Sequence, residues 1–456
     1  MLYLSLFSLI LLYLGYRYYA PKLEKNIGIN LRRETLALEG NKIQFTNFFS
    51  FRKLQFAQFA LISGIECLYG GIIGTIYGPL TMIWCVVGTI FMGTVLNYYC
   101  GIYPVINKGK YIQSYIRDKY GKITYFIFNI FLLSAVIVAI SSTYITLLNI
   151  NYYSYNLSLI WIFFIFFSLI ICTCSQQLLI SIYSLIGGMI LLIGIFFICL
   201  NVPNLKDYEL EIGKYQLNEL KYAYPMLFFV ITSGAICGFQ GLTSSLIAPS
   251  VKNEKHGKGL LITTTIIQAI FVISWNLIIL SWKPSYDIIG SLVSKISVPY
   301  NVILDAGKGY VGNFGFILIY LLAITLCFAM SGALSRVGRN IIIETNIFGK
   351  YTKEIAVILL AILSYLSFKT EMTMYVSVLL CQMVATSLFY IMSLYLKDND
   401  KVYEYTIFPT YILTGACLAY ITLSLGKQSA IASILIGLSV TTLLFVMYFR
   451  KKRNKN

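Results

Sequence analysis

Apolar runs of about twenty residues recur along the whole of this 456-residue chain. A run of that length, if helical, matches the hydrocarbon thickness of a bilayer and is long for a core helix. Composition agrees: 58% of residues are hydrophobic and 12% are charged, about half the charged share usual in a soluble domain. The expected class is therefore an all-α polytopic membrane protein, with the lipid bilayer as its partner.

Thirteen spans are predicted, near 2–18, 56–77, 80–104, 123–146, 155–174, 178–200, 224–248, 259–282, 311–334, 355–368, 374–396, 405–424 and 429–449. The fourteen-residue run 355–368 is short for a crossing. With the N-terminus outside and the C-terminus inside, 27 of the 35 Lys and Arg fall in segments on the inner side. The acidic loop 201–223 then lies outside, as the positive-inside rule favours. That distribution also explains the net charge of +17 without nucleic acid. The basic tail 450–456 reads as a stop-transfer flank beside anionic lipid. Residues 2–16 lack a basic lead and a small-residue cleavage signal, so a retained helix is expected rather than a signal peptide. Ile112–Tyr120 and Ser291–Asp305 have helical rhythm and read as helices lying on the membrane.

Most of the ten cysteines sit inside apolar runs and read as small core residues. The one histidine, His256, lies in a basic loop, which argues against a zinc site or a His-based triad. No metal and no cofactor are expected, and no enzyme either, since no His, Asp, Glu or Cys cluster marks one membrane face.

Glu66 is the one acidic or basic residue in the middle of an apolar segment, within FALISGIECLYGG (59–71). An ionisable group at bilayer depth is costly unless paired, neutralised or wet, which makes it a functional-site hypothesis. Gly64, Gly70 and Gly71 around it suggest a helix that breaks there. The seventh span carries SGAICGFQGLTSS (233–245), where Ser233, Gly234, Gly238, Gln240, Ser244 and Ser245 crowd small and polar groups together. The two stretches lie five spans apart and enter the membrane from opposite sides. That is the pattern of an inverted five-plus-five repeat, each half opening on a broken helix. The boundaries that follow are an N-terminal span and cytoplasmic loop (1–55), repeats at 56–200 and 224–396, a C-terminal helix pair (405–449) and the tail. Glycine-rich stretches also serve tight helix packing, and the polar run with Glu66 decides for a site.

The same stretches carry a resemblance to the carbon starvation protein A family. Tyr16-Arg17-Tyr18-Tyr19 is similar to its Tyr-Arg-Phe-Tyr exit from the first span, and Phe59–Gly71 to its F-A-A-I-A-G-A-G-P-L-V-G-P stretch. Met82-Ile83-Trp84, the turn Asn107–Tyr111, and Ser233–Ser245 with its closing Ser-Ser follow in order. Arg336 and Arg339, with Glu344 five residues on, match a D-x-x-x-R-x-x-R signature. The resemblance covers roughly 14–126 and 225–345. It implies a bacterial secondary transporter of the amino acid–polyamine–cation type, carrying pyruvate or, by older assignment, peptides when carbon runs short. Several family residues differ: Glu66 and Cys67 replace glycine and proline, Asn97 an Asp, Gln268 a Glu, Gly332 the signature Asp, and Gln240 a His.

The expected activity is thus alternating-access import of a small carboxylate-bearing nutrient across the cytoplasmic membrane, coupled to H+ or Na+. An amino-acid transporter and a non-transporting nutrient sensor are the alternatives. Three readings of Glu66 stay open: a proton carrier, an ammonium-binding carboxylate, and a protonated structural carboxyl. Ser331 and Ser335 form a candidate cation site, against the reading that such hydroxyls bond their own helix. Arg336 and Arg339 read as topology anchors or an inner gate. Asn97 and Gln268 read as interhelical hydrogen-bond glue.

Overall fold

The computed structural model describes residues 2–29, 35, 49–68, 80–150, 157–201, 236–282, 299–345, 362, 373–424 and 430–453. Among them there is no strand. α1 (Leu2–Leu14) runs through a π-helical turn (Gly15–Tyr19) into α2 (Ala20–Ile27), then α3 spans Phe51–Ile62. α4 (Leu80–Gly88) and α5 (Thr94–Ile106) are joined by a second π-turn, Thr89–Gly93. α6 (Ser114–Ile150), α7 (Leu157–Thr173) and α8 (Gln176–Asn201) follow, then the short α9 (Gly238–Ser244). α10 (Glu254–Trp282), α11 (Pro299–Thr345), α12 (Thr373–Asp398), α13 (Glu404–Ser424) and α14 (Ala430–Arg453) complete the chain.

Eight helices in the described residues are long and apolar enough to cross a membrane by length and composition. The predicted run 355–368 lies outside the described residues except for Ile362, as does loop 201–223 except for Asn201.

Three boundaries differ from the sequence reading, each for a local reason. The first helix continues past residue 18 to Ile27, because Ala20, Leu23 and Ile27 recur on one buried face after the apolar run has ended. The helix expected at 112–120 is joined to the following span as α6, but Gly121 (φ 87°) turns the chain between them, a conformation open to glycine at little cost. The span expected at 311–334 lies in α11, which starts at Pro299, bends at Val311–Gly312 and runs on to Thr345. Ser335, Arg336 and Arg339 are therefore inside a helix rather than beyond its end.

Burial sorts the helices. The stretches Thr81–Ile106 and Glu254–Ile278 are largely enclosed by protein, whereas Ala432–Phe449 is mostly uncovered. The uncovered side chains are apolar, among them Leu192, Phe163, Ile127 and Leu443, as a lipid-facing rim requires. At the centre α3 packs on α8 and α10, α9 packs on α3, α5 and α12, and α11 packs on α6 and α7. The first helix is tied in by polar contacts. Asn26 donates to the Val402 carbonyl (2.7 Å) and to the Tyr99 hydroxyl (3.0 Å), and Glu24 pairs with Lys258 (3.2 Å).

Small residues let backbones approach where polar burial is densest. A Cβ on Gly187 of α8 would strike the Phe56 carbonyl oxygen of α3, a backbone atom that cannot swing aside. Gly187→Val is predicted to destabilise the protein by about 1–3 kcal/mol. A lowered melting temperature in detergent checks this, and an unchanged one contradicts the close approach.

Candidate functional site

One helix is interrupted at the centre, and another begins close to it. α3 ends at Ile62, Ser63 leaves helical geometry (φ −89°, ψ 88°), and residues 65–68 are helical again. The helix resumes with the Cys67 N–H on the Gly64 carbonyl at 3.1 Å. Beside it Ile236 and Cys237 are non-helical, Cys237 being extended (φ −115°, ψ 127°), and α9 starts at Gly238. α9 packs on α3, and the Cys237 thiol just before α9 neighbours Glu66.

A helix break strands carbonyls that lipid cannot satisfy. At the α3 break and just before α9 a buried glutamine supplies a donor from another helix. The Gln268 amide of α10 donates to the Ile62 carbonyl at 3.1 Å and contacts the Cys67 sulfur at 3.0 Å, so it clips both sides of the first break. The Gln382 amide of α12 reaches the Ile236 carbonyl at 3.4 Å. Asn97, by contrast, works between helices, donating from α5 to the Thr265 hydroxyl of α10 at 3.0 Å.

Glu66 lies just past the first break and is partly exposed. Its carboxyl folds back over Gly64: a Cβ there would collide with a carboxyl oxygen and come within 3.1 Å of Met330 on α11. No Lys or Arg pairs with Glu66 among the described residues. Its electrostatic neighbours are thiols, those of Cys67, Cys237 and Cys327. Sequence reading placed the cysteines in the core, and it missed that three of them share a neighbourhood with this carboxyl.

The remaining candidates of the two stretches divide. Gly70, Gly71, Ser233 and Gly234 lie outside the described residues. Gly238 is a contact point: a Cβ on it would strike the backbone of Cys381 and Ala385, which seats the start of α9 against α12. Beside it the Cys237 and Cys381 sulfurs are 2.9 Å apart. Gln240 and Ser244 are buried, and the Gln240 side-chain oxygen and the Ser244 hydroxyl have no hydrogen-bond partner. Ser245 donates to the Leu242 carbonyl of its own helix. Gln58 on α3 is fully buried with neither amide atom partnered. Gln58 and Gln382 were both discoverable by the criterion that found Glu66, a strongly polar side chain in an apolar run.

α11 carries the remaining residues. Ser331 is buried and donates to the Phe328 carbonyl one turn earlier (3.0 Å), and Ser335 is buried one turn on. Arg336 differs from a solvated topology anchor, being 7% exposed. Its guanidinium donates to the Ile171 (2.9 Å) and Cys174 (2.8 Å) carbonyls and to the Gln176 side chain (3.1 Å). Arg339 donates to the Cys172 carbonyl and to the Asn340 side-chain oxygen. Both cations thus cap the C-terminal end of α7, where the helix dipole is negative. The pattern is invisible in sequence because α7 and Arg336 are more than 160 residues apart.

Removing the Gln268 amide leaves the Ile62 carbonyl buried and unpaired. Gln268→Leu is predicted to cost about 1–3 kcal/mol, read from thermal unfolding in detergent. An equally stable variant contradicts the clip.

Comparison with known proteins places this geometry. Residues 1–203 match the family model described as carbon starvation protein CstA. A 114-residue stretch is 33% identical to an uncharacterized membrane protein of Haemophilus influenzae, and it spans 25% of this chain and 30% of that protein. Among solved structures, a manganese transporter of Eremococcus coleocola superposes with TM-score 0.56 at 14% identity, over 92% of this chain and all of that one. A Na+-coupled sialic acid symporter in a substrate-bound outward-open state superposes with TM-score 0.51 at 10% identity, over 95% and 96% of the two chains. At such identities the likeness shows the shared fold alone, an all-helical membrane fold that transporters adopt. The resemblance to the carbon starvation family is thereby borne out over residues 1–203, where the chain matches the CstA model.

Proposed function

We propose that the chain is a secondary active transporter of the cytoplasmic membrane, importing a small carboxylate-bearing nutrient such as pyruvate or a peptide by alternating access. The observation that carries this reading is a carboxyl, Glu66, with no cationic partner among the described residues, set at the break in α3 close to the start of α9. An ionised carboxylate left unpaired there would be costly, so the site favours a bound proton, a coupling cation or an ammonium group. The buried and unpartnered atoms of Gln240, Ser244, Gln268 and Gln382 supply further polarity around the breaks. The solute class follows from the carbon starvation resemblance, and the orientation from the Lys and Arg distribution, N-terminus outside and C-terminus inside.

In this reading Glu66 takes up H+ together with the solute from outside and releases both inside. Neutralising Glu66 removes the repulsion it would otherwise exert on an anion across a low-dielectric cavity. Sodium coupling through Ser331 and Ser335 is the alternative, and an imposed gradient of one ion or the other separates the two. Gly64→Ala pushes the Glu66 carboxyl out of its folded-back position while leaving its chemistry intact.

An amino-bearing solute is the second reading, favoured by the same unpaired carboxyl, which would bind the ammonium directly. The experiment is uptake into liposomes of labelled pyruvate, amino acids and dipeptides, with and without a proton or sodium gradient. Glu66→Gln is predicted to abolish gradient-driven uptake while exchange of solute across the membrane persists. Gly64→Ala is predicted to slow both in folded protein. Uptake of amino-bearing solutes alone selects the second reading, and no uptake of any of them by folded protein overturns both.

A further inference from the structure

Two cysteines far apart in the chain meet near the break in α3. The Sγ atoms of Cys237, just before α9, and Cys381 of α12 are 2.9 Å apart, across 144 residues of sequence. Both side chains are buried, and neither cysteine is in a disulfide. Unbonded sulfurs do not ordinarily pack so closely. A disulfide holds its sulfurs at about 2.05 Å, so a closing movement of roughly 1 Å would join these two.

The surrounding backbone holds the pair in place. The amide of Gln382, one residue beyond Cys381, reaches the carbonyl of Ile236, one residue before Cys237, at 3.4 Å. On the other side of Cys237, Gly238 lies so close to the Cys381 carbonyl and the Ala385 nitrogen that a Cβ would strike both. The chain before and after Cys237 is thus seated on the turn of α12 that carries Cys381. The approach of the sulfurs belongs to the two backbones and not to a chance rotamer.

The pair borders the candidate site, since Glu66 acts electrostatically on Cys237 and α9 packs on both α3 and α12. The contacts that seat segment 236–238 on α12 are all non-covalent, so a shift between the two exchanges them. A bond between the sulfurs would remove that freedom where alternating access needs it. The Cys417 thiol of α13 also neighbours Cys381 and is the competing partner for it.

We propose that Cys237 and Cys381 form a redox modification site, at which a hydroperoxide converts the thiol pair to a disulfide that locks the start of α9 to α12 and stops transport. One sulfur, as its thiolate, attacks a peroxide oxygen, the O–O bond breaks, and the proton it gave up leaves with the other oxygen as an alcohol. The second sulfur then attacks the resulting sulfenic acid, and its proton leaves with the hydroxyl as water. Two electrons pass from the sulfur pair to the peroxide. Both thiols are enclosed in this conformation, so the oxidant enters when the site opens during the cycle. Formation of the bond is chemistry of the pair itself, whereas its effect on uptake rests on the transporter reading.

The test uses full-length protein in liposomes, treated with tert-butyl hydroperoxide and then alkylated, digested and mapped by mass spectrometry. A disulfide between Cys237 and Cys381 is expected. Uptake of whichever of labelled pyruvate, alanine or dialanine the wild type carries is expected to fall in proportion to the fraction of molecules cross-linked, and dithiothreitol to restore it. Cys381→Ala should keep its uptake through the same treatment, and Cys417→Ala should lose it as the wild type does. If Cys381→Ala does not fold, Cys237→Ser takes its place. Free thiols at both positions after oxidation, a bond from Cys381 to Cys417 instead, or a Cys237–Cys381 bond that leaves uptake unchanged overturns the proposal. So does equal loss of uptake in folded Cys381→Ala. A wild type that carries none of the three probes overturns the transporter reading, while the mapped bond, which needs no solute, still decides whether the pair is a redox site.

Discussion

The centre of this protein depends on how backbone groups are satisfied where one helix breaks and another begins inside an apolar medium. A carbonyl without a partner in that setting costs several kcal/mol. At Ile62 and Ile236 the partner is a glutamine amide from a different helix, Gln268 from α10 and Gln382 from α12. The α3 break and the start of α9 are therefore both held by contacts from other helices. A shift of α10 or α12 relative to the broken helix would exchange those hydrogen bonds. Such a coupling between break and surroundings is what a central site needs if it is to open first to one side and then to the other.

The same logic recurs at the edge of the bundle. The last carbonyls of α7 are taken by Arg336 and Arg339, and Gln176 at the start of α8 both accepts from Arg336 and donates to the Leu246 carbonyl at 2.7 Å. Asn340 then carries the network to Tyr111. One set of polar contacts thus joins α7, α8, α11, the segment after α9 and the turn before α6. Glu66 has no such compensation among the described residues, and this contrast is what the proposed role rests on.

Much of this was legible in sequence because bilayer length and charge asymmetry are local properties. Runs such as 80–104 and 405–424 fall on helices within a few residues. Glycine flanking a buried acid marked the break at Ser63–Gly64, and the polar crowding at 233–245 marked α9. Glycine alone did not reveal its role. Gly64 makes room for a carboxyl, whereas Gly238 makes room for a neighbouring backbone, and only the packing partners distinguish them. Arg336 reads in sequence as a basic residue closing a span, yet it is buried as a cap on a helix far away in the chain. Gln382 and the Cys237–Cys381 contact depend in the same way on which helices meet.

The proposed transport cycle requires that the break in α3, beside the start of α9, be reached from each side of the membrane in turn. Cys67, next to Glu66 and buried in this conformation, is a native reporter. The decisive measurement is its reaction with an impermeant thiol reagent applied to either face, with and without solute, in a functional variant lacking the other cysteines. The account predicts reaction from one face at a time, with solute changing which face or blocking both. Simultaneous reaction from both faces would describe a channel, and no reaction under any condition would describe a sealed structural core, and either result contradicts it.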